Sequence, residues 1–116
     1  MATSDTCCTI VPYFQLTDET LPRFKGYCER FVEMTQTEEK AIHYGFSFNG
    51  NQAHCREGYA DAEGVLAHFE NVGELLEEVL GFCELTKLEI HGPAEELAKF
   101  KEPLSHLEIE YFTLEY

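Results

Sequence analysis

Residues 7 to 16, CCTIVPYFQL, form an apolar and aromatic run bounded by polar residues and predict a first strand, with Pro12 suggesting a sheet edge or a bulge. Thr17 or Asp18 can cap a helix whose first turn holds Pro22. Phe24, Tyr27, Cys28, Phe31 and Val32 follow at helical spacing, and the helix ends near Gln36. Ile42 to Phe48 alternates, with Ile42, Tyr44, Phe46 and Phe48 on one side and His43, Gly45 and Ser47 on the other. Asn49-Gly50 is a hairpin signal that predicts positive φ at both central turn residues, with the chain returning from Ala53 to Tyr59. Asp61 caps a second helix. Its apolar set is Val65, Leu66, Phe69, Val72, Leu76, Val79 and Leu80, and Glu63, Glu70, Glu74, Glu77 and Glu78 fall opposite. Residues 84 to 91 read as another strand, which Gly92-Pro93 ends before a short helix; the last strand is Leu107 to Glu115.

The order β-α-β-β-α-β, then a short helix and a fifth strand, predicts a single α+β domain over residues 1–116. Its class is the ferredoxin-like split βαβ, a mostly antiparallel sheet with helices on one face. The first strand is apolar on both faces, with Ile10 and Phe14 against Val11 and Tyr13. The last is similar, with Ile109 and Tyr111 against Phe112 and Leu114. A half-solvated sheet alternates more cleanly, so the second face is expected to be covered. A homodimer packed sheet to sheet, a dimeric α/β barrel, does this most simply. The other way is for the short helix and C-terminal segment to fold back over that face.

Charge narrows the partners. There are 22 acidic residues against 8 basic ones, a net charge of -14. The basic residues are scattered, which argues against nucleic acid and against an anionic membrane surface. No stretch approaches the ~18 apolar residues of a membrane span. The five cysteines (Cys7, Cys8, Cys28, Cys55, Cys83) are odd in number and form no CxxC pair. They read as reduced thiols of a cytoplasmic protein.

Thr37-Glu38, Ile42-His43-Tyr44, Glu57-Gly58-Tyr59-Ala60-Asp61-Ala62-Glu63, Leu66-Ala67-His68 and Asn71-Val72-Gly73-Glu74, taken in order, resemble the antibiotic biosynthesis monooxygenase family of the dimeric α/β-barrel superfamily. The resemblance runs from the first strand to the last. It implies the fold and the homodimer. For activity it implies a cofactor-independent monooxygenase that uses O₂ on a quinol or small aromatic, without metal or flavin. Relatives that degrade haem press a tryptophan on the porphyrin, and this chain has none. Two departures stand out. Glu39-Lys40 replaces a frequent Pro-Gly, and Glu57-Gly58-Tyr59 stands where many relatives have Glu-Arg-Tyr. Arg56 is the candidate to stand in for the missing arginine.

His68 lies at the edge of the apolar stripe of the second helix, and an unperturbed histidine titrates near neutrality, so it could serve as a base towards a phenol or hydroquinone. The plainer alternative is a packed histidine bonded to Glu57 or Asn71. Glu57 and Tyr59 share a strand face, and the carboxylate could orient the imidazole while the phenol holds a substrate oxygen. Their plainer alternatives are a strand-to-strand ion pair and a core aromatic. Tyr44 and Phe46 could wall a pocket for a flat molecule, or fill a core. Asn71 could bond a ligand or cap the helix before Gly73. The histidines show no HxH or HxxxH spacing, and neither a metal site nor a nucleotide or flavin motif is expected. The functional expectation is therefore catalytic His68, Glu57 and Tyr59, with Tyr44, Arg56, Asn71 and Phe46 binding a small aromatic or hydrophobic molecule. The alternative is a non-catalytic barrel that binds a hydrophobic ligand or a partner protein.

Overall fold

A computed structural model describes residues 4–116. The elements are β1 (Cys8–Gln15), α1 (Leu21–Thr35), β2 (Ala41–Asn49), β3 (Gln52–Tyr59), α2 (Ala62–Leu80), β4 (Glu84–Gly92), α3 (Ala94–Leu97) with a 3₁₀ turn over Ala98–Phe100, and β5 (Glu110–Thr113). The sheet runs β2-β3-β1-β4-β5. The first three pairings are antiparallel and β4–β5 is parallel. It is therefore a mixed, mostly antiparallel sheet of the expected ferredoxin-like α+β class.

Several local expectations need correction. Pro12 is not on an edge, since β1 is the central strand. The irregularity lies beside it, where the β1–β4 register shifts between Tyr13 and Phe14. The hairpin turn is Gly50-Asn51, because Asn49 pairs with Gln52. Of the two turn residues only Gly50 has positive φ, at 58°, so one glycine supplies the left-handed geometry of the turn. Ile42 does not share a face with Tyr44. A register shift between Ala41 and His43 turns it outward, leaving it 59% exposed. Thr20 is the residue that precedes α1, and Thr17 and Thr20 exchange hydrogen bonds, Thr17 N to Thr20 Oγ1 at 2.9 Å and Thr20 N to Thr17 Oγ1 at 3.2 Å. Asp61 caps α2 as expected, accepting from Gly64 N at 2.9 Å.

Both long helices lie on one face of the sheet. Ile10, Phe14, Ala53, Cys55, Tyr59, Leu88 and Ile90 point towards them and are buried. The interior has two apolar clusters. One gathers Cys8, Ile10, Tyr59, Val65 and Ile90 with Leu97, Phe100 and Leu104. The other gathers Phe14, Phe24, Phe31, Val72, Leu75 and Val79. Residues 94–104 thus pack on the helix side, beside α2. They do not fold back over the opposite face, which carries Thr9, Val11, Tyr13, His54 and His91, all half-buried, and exposed Arg56.

Candidate active site

The two apolar clusters meet at three polar side chains. Glu57 is 5% exposed and His68 3%, and both are enclosed by the sheet and α2. Glu57 comes from β3, whose two-residue period puts Ala53, Cys55, Glu57 and Tyr59 on the helix-covered face. His68 comes from the buried stripe of α2, in line with Val65, Val72, Leu75 and Val79. The third is Glu38, in the connection between α1 and β2. Its side chain is 9% exposed.

The imidazole bridges the two carboxyl groups. His68 Nδ1 lies 2.9 Å from Glu38 Oε2 and 3.2 Å from Oε1. His68 Nε2 lies 3.3 Å from Glu57 Oε1. A carboxylate only accepts, so Nδ1 carries the hydrogen and Nε2 turns its lone pair towards Glu57. Glu38 is held in turn by Asn71, whose Nδ2 donates to Oε2 at 2.8 Å and to the Met34 carbonyl at 3.0 Å. Tyr59 Oη donates to Glu57 Oε1 at 2.7 Å. The rings of Tyr44 and Tyr59 flank the imidazole, each centroid 5.2 Å from it.

Burial sets the proton positions. Loss of water pushes the Glu57 carboxyl up to about 8; the Tyr59 and Cys55 hydrogen bonds pull it down less, and the nearby charge of Glu38 adds to the rise. Glu57 is therefore a neutral acid at pH 7. Burial also lowers the pKa of His68, against the opposing pull of Glu38, so the imidazole is neutral too. Burial raises the Tyr44, Tyr59 and Cys55 groups far above their ordinary values, which keeps them protonated. The result is a neutral acid beside a neutral base, backed by a carboxylate that stabilises the imidazolium once a proton arrives. Titratable neighbours whose surroundings drive their pKa values apart take the separate roles of acid and base.

A cavity of about 60 Å³ opens beside these groups; Tyr44, Cys55, Glu57 and His68 bring polar groups to its lining, and Phe46 is part of its apolar wall. His68, Glu57, Tyr44 and Phe46 are thus brought together on one void. Tyr59 stands behind Glu57 and reaches the cavity only through it. Asn71 positions Glu38 and does not line the cavity. Arg56 is corrected: as an even-numbered residue of β3 it is exposed on the opposite face of the sheet. Gly58 faces that side as well, and a side chain there would meet the His43 ring. An arginine at 58 would not have pointed into this cavity, so its loss leaves the site intact. The residue that sequence reasoning passed over is Glu38. Thr37-Glu38 carried part of the resemblance, but a glutamate in an inter-element loop shows no periodicity that would betray its burial.

MupZ from Pseudomonas fluorescens is similar to this chain at 43% identity, with a TM-score of 0.92 over 97% of this chain and 93% of that one. A putative antibiotic biosynthesis monooxygenase from Nitrosomonas europaea shares the fold at 14% identity and TM-score 0.69, over 81% and 96% of the two chains. A conserved protein from Methanosarcina mazei Go1 does so at 21% identity and TM-score 0.68, over 75% and 92%. No family model and no curated protein matches the sequence. The sequence resemblance to the antibiotic biosynthesis monooxygenase-like fold agrees with these likenesses.

Proposed function

The chain belongs to the family of MupZ and has the fold of the antibiotic biosynthesis monooxygenases, and on that premise we propose that it is an acid–base enzyme acting on a hydroxyl-bearing, mainly apolar organic molecule. The observation that carries this is the Glu38–His68–Glu57 chain at the end of an apolar cavity. His68 Nε2 takes the substrate proton as Glu57 gives up its place at that lone pair. Glu38 holds the imidazolium, and Glu57 can hand its own proton to a second substrate oxygen.

With a phenol or hydroquinol, removal of that proton gives an anion rich enough to reduce O₂ directly. A phenol carrying a para C–H then takes one oxygen atom and becomes a quinone, and the other oxygen leaves as water with the two hydrogens lost. This is the cofactor-independent monooxygenase form of the proposal. A redox-neutral form is favoured by one observation: Glu57 Oε1 stands 3.3 Å from the Nε2 lone pair of His68, where a carboxyl whose pKa burial raises can give up a proton. Oxygenation needs only the base, whereas transfer between two oxygens of one substrate needs both. A panel of quinols and hydroxylated aliphatics, run in air and under nitrogen, tests these forms. Product formed only with stoichiometric O₂ consumption supports the oxygenase; product formed equally under nitrogen supports the redox-neutral form. No turnover of any compound by wild type, with His68→Ala unchanged in every property except stability, leaves a binding barrel and sinks the proposal.

Two further elements belong to this proposal. The sheet face bearing Val11, Tyr13 and exposed Phe112 is left bare by the chain's own elements, which supports a homodimer closed through it. Light scattering at micromolar protein checks it, with Val11→Glu expected to give monomers. All five cysteines are free, which fits a reducing, cytoplasmic setting. No helix among the described residues is long and apolar enough to cross a membrane.

A further inference from the structure

The cavity beside His68 and Glu57 closes around a small space. At about 60 Å³ it holds a few waters, at roughly 10–15 Å³ each, whereas sites for drug-sized molecules run to about 300–1,000 Å³. A substrate of the proposed kind reaches this site only if a wall moves. A separate, open groove of about 680 Å³ lies on the outer flank of α2. Phe69, Leu76, Leu80 and Leu107 line both spaces and are therefore the partition between them.

Of the described residues that line the cavity, every one but Leu107 belongs to a strand or a long helix. Strands β1 to β4 are joined by ladders, and α2 is pinned by its buried stripe of Val65, Val72, Leu75 and Val79. Leu107 stands instead in the connection from the 3₁₀ turn to β5. Among the described residues, 101–109 make three backbone hydrogen bonds: Leu104 N to Phe100 O at 2.9 Å, Ser105 N to Glu102 O at 3.3 Å and Leu107 N to Leu104 O at 3.1 Å. None reaches the sheet or α2. Leu104 anchors this stretch in the first apolar cluster, with Leu107 and Ile109 packed against it. Ser105, His106 and Glu108 are exposed. Outward movement of residues 105–108 therefore breaks no ladder and takes one apolar side chain, Leu107, out of its packing. Segments so lightly held open locally while the core stays folded, and active-site lids are drawn from them.

We propose that Leu107 is the gate of the inner site: residues 105–108 swing outward between Leu104 and Ile109, the leucine leaves the partition, and substrate passes through that opening to His68 and Glu57. The gate rests on the acid–base reading of the inner site, and the two fail separately in the following experiment.

Cys55 and His68 line the cavity, and Cys8 is buried in the core without lining it. Iodoacetamide alkylates a thiol and diethyl pyrocarbonate acylates a neutral imidazole, so the cavity carries two reporters and the core a third. Labelling rates are read residue by residue by mass spectrometry in wild type and in Leu107→Ala, with Leu107→Val as the smaller change should the alanine variant not fold. Each residue is compared only with itself, so its intrinsic reactivity cancels. In wild type, Cys55 and His68 rates are expected to stay flat in urea below the unfolding transition while the Cys8 rate climbs, because opening a short segment exposes little surface. In Leu107→Ala both cavity reporters are expected to speed up tenfold or more beyond any change at Cys8. Cavity reporters that follow Cys8 in urea, or that are indifferent to Leu107→Ala, overturn the gate and leave the acid–base reading standing. A rise at Cys55 with none at His68 supports the gate and overturns the acid–base reading, since an opened cavity would then hold no available base.

Discussion

Odd-numbered residues of β3 face the helices and even-numbered ones face away, so one strand runs the same chemical groups through two environments. On the covered face Glu57 has lost water and holds its proton up to about 8. On the open face of β4, Glu89 sits 2.9 Å from Lys87 Nζ and 3.1 Å from His91 Nε2, and the Lys87 hydrogen bond lowers its pKa. On the open face His54 stacks on Tyr13, with ring centroids 4.5 Å apart, and contacts the Pro12 carbonyl at 3.0 Å. His68 is locked between two carboxyl groups. Residue type does not distinguish these groups. Desolvation does, and the period of the strand decides which residues undergo it.

The sharpest break in the comparison is kinetic. Replacing the base, His68→Ala, is expected to lower turnover by about 10²–10⁴-fold, as loss of a general base does, while Arg56→Ala on the other face leaves it unchanged. Progress curves on whichever substrate the panel yields decide this. Loss of turnover in Arg56→Ala would put chemistry on the open face.

The next effect is one of pH. Glu57 binds its proton more tightly folded than unfolded, so its contribution is present at low pH and is lost as pH rises from about 4.5 to about 8. The slope is at most ~1.4 kcal/mol per pH unit for one proton. Glu57→Gln mimics the protonated acid and should flatten this dependence, costing little at pH 5 and gaining stability at pH 8. Urea midpoints at the two pH values measure it. Equal effects of the substitution at both would show that Glu57 is ionised in the folded state.

A smaller change follows from Tyr59→Phe. It removes the 2.7 Å hydrogen bond to Glu57 and should cost about 1 kcal/mol. The carboxyl, having lost a donor, should titrate higher still, as a carbon-detected NMR titration would show. Gly73→Ala is the gentlest test: helix propensity predicts a gain of about 0.5–1 kcal/mol, seen as a raised melting temperature, because the methyl enters empty space.

Much of this was legible in the chain. Alternation at Ala53, Cys55, Glu57 and Tyr59 placed two site residues on one face, and helical spacing put His68 on the same buried stripe as Val72. These are periodic signals, and burial follows period. What escaped was aperiodic. Glu38 acts from a loop, and only tertiary folding brings it to within 2.9 Å of a histidine 30 residues away. The slip at Ile42 broke an alternation that looked unbroken, since a bulge inserts a residue without altering the pattern of types around it. Arg56 does share the face of Gly58, as the two-residue period says, but that face is the one turned away from the cavity.

The central place of β1 also constrains how the chain is made. This strand leaves the ribosome before both of its partners, residues 52–59 and 84–92. At about 5–20 residues per second, its two apolar faces wait roughly 4–15 s for the second partner to be synthesised. A nascent chain halted before β4 would display Val11, Tyr13 and Phe14 along an open strand edge, so the protein should depend on chaperones most when translation stalls in α2.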